Sequence, residues 1–402
     1  MSSYDIVIIG GGPAGLASGI YSSRAKLKTV IIEKGNGGGQ ISTTREIVNY
    51  PGFFKGMGGQ DLMKILQEHA MTFGTEIIRN NEVVDLDLDG EVKVVKTKKG
   101  NEYRARAVIL ATGAEPRLLN IPGEKKFRGN GVSYCVTCDA NLYEGLDVVV
   151  VGNGDAAIEE AIYLTRYARK VTVIVIHDEG IVDCNKASAE QAFNNAKIEF
   201  VWNSVLVEIK GMDEVESVVV KNLKSGIMSE IIASGVFIYV GSVPRTKILK
   251  GKIKLDEKGY IETSEKMETS VEGVYAVGDS RAKYLRQVVT AVSDGAIAAV
   301  AAERYILEEE AFKEQVINAS KPVLMVFWNP FNEESIRAVS LAEKIISSQG
   351  DKATLFKVDV YRNQRLARRY QVRELPHVLL LENGEVIKDL SRNFKDGYSI
   401  NI

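Results

Sequence analysis

Two glycine-rich turns constrain the fold of this 402-residue chain more than any other feature. The first follows Asp5-Ile6-Val7-Ile8-Ile9, a β-branched apolar run that reads as a strand buried on both faces, and consists of Gly10-Gly11-Gly12-Pro13-Ala14-Gly15. A helical stretch over 16–27 and a second strand over 29–32, ending at Glu33, complete a βαβ unit. The same grammar returns later, with a strand over 147–151, the turn Gly152-Asn153-Gly154-Asp155-Ala156-Ala157, a helix over 158–167 and a strand over 171–176. In such a turn the first glycine bends the chain, the second lets a pyrophosphate approach the backbone, and the third position lets helix pack on strand. Two turns imply two nucleotides, and a layered α/β fold with two doubly wound, Rossmann-like units.

The carboxylates downstream strengthen the first assignment. Glu33 follows Gly15 at close to the separation expected for a ribose-binding acid. Asp178 follows Ala157 at a similar separation, with His177 before it and Glu179 after it. A carboxylate there would bind a free ribose 2′-hydroxyl and repel a 2′-phosphate; equally, Asp178 and Glu179 could form a solvated turn. No arginine occurs between Arg169 and Arg245, so the sequence speaks against NADPH.

The other segments are a hairpin region over 82–108, the run Val108-Ile109-Leu110-Ala111-Thr112-Gly113, mixed strands to residue 240, the stretch Gly273-Val274-Tyr275-Ala276-Val277-Gly278-Asp279, and an alanine-rich helix over 295–307. The charged run Glu308-Glu309-Glu310 reads as a boundary before a third domain of roughly 90 residues, read as βαβα, a strand over 378–381 and an Asn383-Gly384 hairpin turn. Basic and acidic residues nearly balance, at 51 and 53, so no broad field attracts nucleic acid or an anionic membrane. No apolar run approaches the length of a membrane span, and the opening residues lack the basic region of a signal peptide, so the chain reads as cytoplasmic.

Of three cysteines, Cys135 and Cys138 stand as C-x-x-C and Cys184 stands alone. Half of a zinc site is one meaning of the pair, but there is no second pair, and His69, His177 and His377 are remote in sequence. A redox dithiol fits better, since a flavin could supply its electrons and the adjacent Asp139 is placed to supply a proton. No metal is expected.

The motifs together resemble the low-molecular-weight thioredoxin reductase family over residues 1 to about 308. They are Gly10 to Gly15, Gly38-Gly39-Gln40, Asn49-Tyr50-Pro51-Gly52, Ala111-Thr112-Gly113, Cys135-Val136-Thr137-Cys138-Asp139, Gly152 to Ala157, Gly278-Asp279 and Arg286-Gln287-Val288-Val289-Thr290-Ala291. The resemblance implies a homodimeric flavoenzyme with an FAD domain built from 1–114 and 245–308 and a pyridine-nucleotide-type domain inserted over 115–244, which swivels to present the cysteine pair alternately to flavin and substrate. It implies that Gly10, Gly12, Gly15, Glu33, Gln40, Asn49, Thr112, Asp279, Gln287 and Val288 hold FAD; the second turn's own spacing puts Gly152, Gly154, Ala157 and Asp178 toward a nicotinamide nucleotide. Cys138 would take electrons from the flavin, Cys135 would attack a thioredoxin-like protein disulfide, and Asp139 would be the general acid. In place of the family's H-R-R-x-x-x-R signature stands His177-Asp178-Glu179-Gly180-Ile181-Val182-Asp183. Only the histidine remains, which leaves NADH, or ferredoxin as used by related forms, against NADPH. A flavin NADH oxidase or peroxiredoxin reductase using the same cysteines is an alternative.

Residues 321 to about 390, within a third domain over 312–402, resemble thioredoxin: Lys321-Pro322-Val323-Leu324, Phe327-Trp328, Val358-Asp359-Val360, Tyr370-Gln371-Val372 and Leu375-Pro376, with Pro376 at the family's cis-proline. The W-C-G-P-C stretch aligns with Phe331-Asn332-Glu333-Glu334-Ser335, Val326 replaces the buried acid, and the last helix is shortened. Without a thiolate there is no disulfide exchange, so this domain reads as redox-inert, either a docking or dimer-supporting module or a remnant.

Overall fold

The computed structural model describes residues 2–43, 47, 49–53, 57–348, 350 and 352–396. The chain forms two compact units, Met1–Glu303 and Arg304–Ile402. The first sheet opens with β1 (Ser2–Ile9), α1 (Pro13–Arg24) and β2 (Thr29–Ile32), followed by α2 (Gly59–Thr72), β3 (Glu76–Ile78), β4 (Val83–Asp87), β5 (Lys93–Thr97) and β6 (Glu102–Leu110). Its strand order is β3-β2-β1-β6-β5-β4, parallel through β3, β2, β1 and β6 and antiparallel at β5 and β4. Ile6, Val7 and Ile8 are fully buried because a parallel strand is covered on both faces, which is why it reads as a continuous apolar run.

The chain leaves through β7 (Ala114–Pro116) and enters a second sheet holding β8 (Val132–Ser133), α3 (Val136–Asp139), β9 (Asp147–Val151), α4 (Asp155–Leu164), β10 (Lys170–Ile174), α5 (Lys186–Phe193) and β11 (Ile198–Val201). An antiparallel ladder of β12 (Ser204–Lys210), β13 (Ser217–Asn222) and β14 (Met228–Ile232) precedes β15 (Gly235–Ile238), and the parallel order is β11-β10-β9-β15-β8. The chain returns through β16 (Ser242–Pro244), which pairs antiparallel with β7, and Arg245 and Glu115 form an ion pair beside this crossing. β17 (Val274–Ala276) then joins β6 in parallel, Val274 against Val108, so the first sheet is completed by a segment that lies beyond the whole of the second sheet in the chain.

α6 (Val288–Phe312) is longer at both ends than the alanine-rich stretch suggests. Glu308 and Glu309, read from sequence as a boundary, continue this helix, and their carboxylates accept from Asn363 and Arg365 within the second unit. Phe312 and Val316 enter that unit's core with Val323, Met325 and Phe327, which is why it begins at Arg304. There β18 (Val323–Trp328), α7 (Glu333–Ser348), β19 (Thr354–Asp359), α8 (Gln364–Arg369), β20 (His377–Glu382), β21 (Glu385–Asp389) and the six-residue α9 (Ser391–Asp396) give the order β19-β18-β20-β21. Asn383 and Gly384 both have positive φ, as a tight hairpin turn requires. The Leu375–Pro376 peptide is cis. The end of the expected third domain, 397–402, lies outside the described residues. Among the described residues no helix is long and apolar enough to cross a membrane.

Candidate functional site

The first glycine turn is shaped by steric necessity. Gly10 has φ +109°, and a Cβ there would stand 2.3 Å from the Ala111 carbonyl oxygen; one on Gly15 would stand 1.9 Å from the Gly10 carbonyl oxygen. These positions hold α1 against the sheet and tolerate no side chain. Gly12 differs, since a Cβ there would meet nothing within 4 Å. It caps α1, with Pro13 following at the helix start, so the open space lies where helix amide groups face outward.

Glu33 ties the turn to the neighbouring loop. Its two carboxylate oxygens accept separately from the Gly11 N–H at 2.6 Å and the Gly35 N–H at 2.8 Å. Gln40 donates from Nε2 to the Ala114 carbonyl. Asn49 and Gln287, remote in the chain, meet through a 3.2 Å hydrogen bond, and Val288 begins α6 beside them. Among the described residues, Thr112 Oγ1 and Asp279 Oδ1 are buried polar atoms without a hydrogen-bond partner. Burial raises the Asp279 carboxyl, with the Lys283 and Arg286 cations pulling it back. Asp294, which the sequence reading passed over, is 5 % exposed and accepts from the Gly278 N–H at 3.0 Å, Arg281 Nη1 at 3.2 Å and Lys283 Nζ at 2.8 Å. It fixes the loop that carries Asp279, and no local pattern could have announced it.

The second turn is built like the first and surrounded differently. Gly152 has φ +133°, and a Cβ would meet the Tyr239 carbonyl oxygen at 2.4 Å and Ala157 Cβ at 3.1 Å. Gly154 caps α4. The segment after β10 folds back onto this turn: Asp183 N–H donates to the Asn153 carbonyl at 2.8 Å, and Asp183 Oδ2 receives Asn153 Nδ2 and His177 Nε2, each at 2.9 Å. Those two hydrogen bonds, His177 first, hold the Asp183 carboxyl below its usual range. Asp155 Oδ1 accepts the Asn185 N–H at 2.7 Å. Asp178 forms an ion pair with Lys224. Spacing alone points Asp178 at a ribose and gives Asp183 no role; the signal for Asp183 is its position as the last residue of the altered signature.

Cys135 and Cys138 are joined as a disulfide with Cα atoms 5.3 Å apart, Cys135 capping the one-turn α3 and Cys138 lying within it. Asp139 closes that turn, and burial raises its carboxyl while a hydrogen bond from Ser133 opposes the rise. The Val136 N–H donates to the Tyr239 hydroxyl at 2.6 Å. On α4, burial and then the neighbouring Glu159 push Glu160 up to about 7. Cys184, on the 177–185 segment, is half-buried and free.

In the second unit Asn332 and Ser335 occupy the positions the thioredoxin resemblance gives to cysteines. Asn332 Oδ1 accepts the Ser335 N–H at 2.8 Å, and the Ser335 hydroxyl is buried without a hydrogen-bond partner among the described residues. Val326 is fully buried in β18.

Comparison with known proteins adds an independent line. The family model described as pyridine nucleotide-disulphide oxidoreductase matches residues 4–295, and that described as thioredoxin matches residues 303–397. The chain is 50 % identical over 317 residues to a thioredoxin reductase of Peptoclostridium acidaminophilum, spanning 77 % of this chain and 99 % of the relative. It is 34 % identical over 427 residues to a bifunctional thioredoxin reductase/thioredoxin of Mycobacterium leprae, spanning 96 % of this chain and 93 % of the relative. The crystal structure of thioredoxin reductase from Streptococcus pyogenes MGAS5005 superposes with a TM-score of 0.71 at 42 % identity, covering 76 % of this chain and 99 % of that one.

Proposed function

This chain belongs to the pyridine nucleotide-disulphide oxidoreductase family, and within it to the thioredoxin reductases, and on that premise we propose how its residues divide the reduction of a thioredoxin-like protein disulfide. FAD would be held in a domain of residues 1–114 and 245–308 by Gly10, Gly12, Gly15, Glu33, Gln40, Asn49, Thr112, Asp279, Gln287 and Val288. The fit is supported by the open face of Gly12 and by the partnerless buried atoms Thr112 Oγ1 and Asp279 Oδ1, which await polar ligand groups. FAD, when bound, supplies the two electrons that open a disulfide. Residues 115–244 form the second nucleotide-type domain, and the paired β7 and β16 are where it would swivel.

The observation that carries this reading is the disulfide of Cys135 and Cys138 on one short turn with the part-buried carboxyl of Asp139. In the reduced pair, the Cys135 thiolate displaces one sulfur of the substrate disulfide and forms a mixed disulfide. The displaced thiolate takes a proton held by Asp139. Cys138 then attacks Cys135 Sγ, which restores the Cys135–Cys138 disulfide and releases the second substrate sulfur. The 312–402 domain takes no part in the exchange, since Asn332 and Ser335 offer no thiol.

NADH is the preferred nucleotide over NADPH. A 2′-phosphate needs a cation, whereas the segment after β10 presents Asp178, Glu179 and Asp183, and Lys224, from the turn between β13 and β14, is paired with Asp178. A second reading, electrons from reduced ferredoxin, is supported by the hydrogen bonds that seat Asp183 on Asn153 and Asn185 on Asp155, in the turn where a pyrophosphate would lie. Anaerobic stopped-flow reduction of the flavin by NADPH, NADH and reduced ferredoxin tests both. NADH should outpace NADPH, and Asp178→Arg should narrow the gap. Reduction by ferredoxin alone would favour the second reading, and rapid reduction by low NADPH would refute the argument from charge.

A further inference from the structure

We propose that Ser133 is the positioning residue of Asp139: its hydroxyl aims the carboxyl at the cysteine pair and satisfies it both with and without its proton. This rests on the reading of Asp139 as the acid.

Ser133 is the last residue of β8, held by parallel pairing of Val132 with Val236 and Ser133 with Phe237, and is 6 % exposed. Its hydroxyl is therefore placed by the sheet rather than by a mobile loop. Three polar groups converge on it. Asp139 Oδ2 lies at 2.6 Å as acceptor, the Cys135 N–H donates to it from 3.1 Å, and the Cys135 carbonyl oxygen lies 3.3 Å away. One side chain thus touches the backbone on both sides of Cys135 and the carboxyl that closes the turn.

A hydroxyl carries one proton and two acceptor sites, so it can give to Asp139 or to the Cys135 carbonyl, not to both. When Asp139 is ionised, the charge-assisted bond wins and the Ser133 proton points at Oδ2. When Asp139 is protonated, the acid can donate to Ser133 Oγ, and the hydroxyl proton turns to the Cys135 carbonyl. The Cys135 N–H keeps its acceptor in both arrangements. Only a hydroxyl proton rotates; no heavy atom need move. In turnover Asp139 gives its proton to the departing substrate thiolate and later regains one, and at each stage Ser133 supplies the complementary partner. No electrons pass through either residue.

An alternative role for Ser133 is to shape the turn through the Cys135 N–H alone. That role would leave the protonation of Asp139 untouched. Loss of the hydroxyl donor, by contrast, removes the interaction that favours the ionised carboxyl and leaves the burial that opposes it, so the proton is held to higher pH.

The test is the pH profile of thioredoxin-disulfide reduction by the full-length, FAD-loaded chain, pre-reduced under anaerobic conditions. Wild type should lose rate as pH rises through the titration of the acid. Ser133→Ala should move that loss up by about one pH unit and lower the plateau rate, while Ser133→Thr, which restores a hydroxyl, should keep the wild-type midpoint. Asp139→Asn should remove the limb altogether. If Asp139→Asn keeps the limb, the reading of Asp139 fails. If the limb disappears in Asp139→Asn but Ser133→Ala superposes on wild type, or Ser133→Thr shifts as far as Ser133→Ala, the assignment of Ser133 is overturned. A Ser133→Ala chain that does not fold or load FAD also counts against it, because the hydroxyl would then serve stability rather than the acid.

Discussion

Glu33→Gln perturbs the first nucleotide turn at its tie. The carboxylate accepts one backbone N–H on each oxygen, from Gly11 at 2.6 Å and Gly35 at 2.8 Å, and its own backbone is anchored by Ile78 and Asn81. A glutamine offers one acceptor oxygen and one NH2 group, so either rotamer turns a donor toward a donor. At least one charge-assisted hydrogen bond is lost, worth ~1.5–3 kcal/mol, and the loop spanning residues 10–12 or that at residue 35 is released. If about 2 kcal/mol of that falls on the conformation that binds FAD, affinity drops about 30-fold. Flavin fluorescence titration of the apo-protein measures this directly, with the urea midpoint of the N-terminal unit as the companion reading. Glu33→Asp, still anionic but able to reach only one N–H, should fall between. If Glu33→Gln binds FAD within about threefold of wild type at an unchanged urea midpoint, the turn holds itself and the reasoning is refuted.

Glu160, pushed up to about 7, binds its proton more tightly in the fold than in the unfolded chain, so wild-type stability falls as pH rises from about 4.5 to about 7. Glu160→Gln is free of that loss: it should match wild type at pH 4.5 and exceed it by about 2 kcal/mol at pH 8, a figure discounted for residual solvent. Thermal unfolding at the two pH values decides, and equal stability at pH 8 would remove the burial argument. Cys138→Ser should abolish disulfide reduction while leaving FAD bound, because the FAD-side loops and the dithiol lie on different sheets. Retained turnover would shift the assignment toward a flavin oxidase.

The elements that read most clearly from sequence are the buried parallel strands, since β1, β2, β9 and β10 each end in a buried, largely β-branched run and each feeds a helix or ends at a charged loop. What local pattern could not supply was contact at a distance. β17 joins β6 across the entire inserted domain, and Asn49 meets Gln287 from the opposite end of the same unit; only a resemblance to known motifs put such segments in one domain. The charge run at 308–310 continues α6 rather than ending it, because a sequence shows charge but not its partners, and here two of the three acids are satisfied by α8 and the residue before it. Ser133 escaped notice for a similar reason: a serine beside a cysteine pair carries no signal until its distance to Asp139 is known. Asp183 could have been singled out, as the charge-reversed end of the altered signature, but its bond to His177 required the fold.

In the function proposed above, electrons leave this chain through Cys135 and Cys138 to a protein disulfide. The most direct measurement is anaerobic titration of the dithionite-reduced, FAD-loaded protein with oxidised thioredoxin, following flavin absorbance and counting thioredoxin thiols. Flavin should reoxidise with two thioredoxin thiols formed per two electrons lost; in Cys138→Ser the flavin should stay reduced, with Cys135 trapping thioredoxin as a mixed disulfide and releasing at most one thiol per chain. Wild-type flavin that stays reduced until oxygen is admitted would contradict that function.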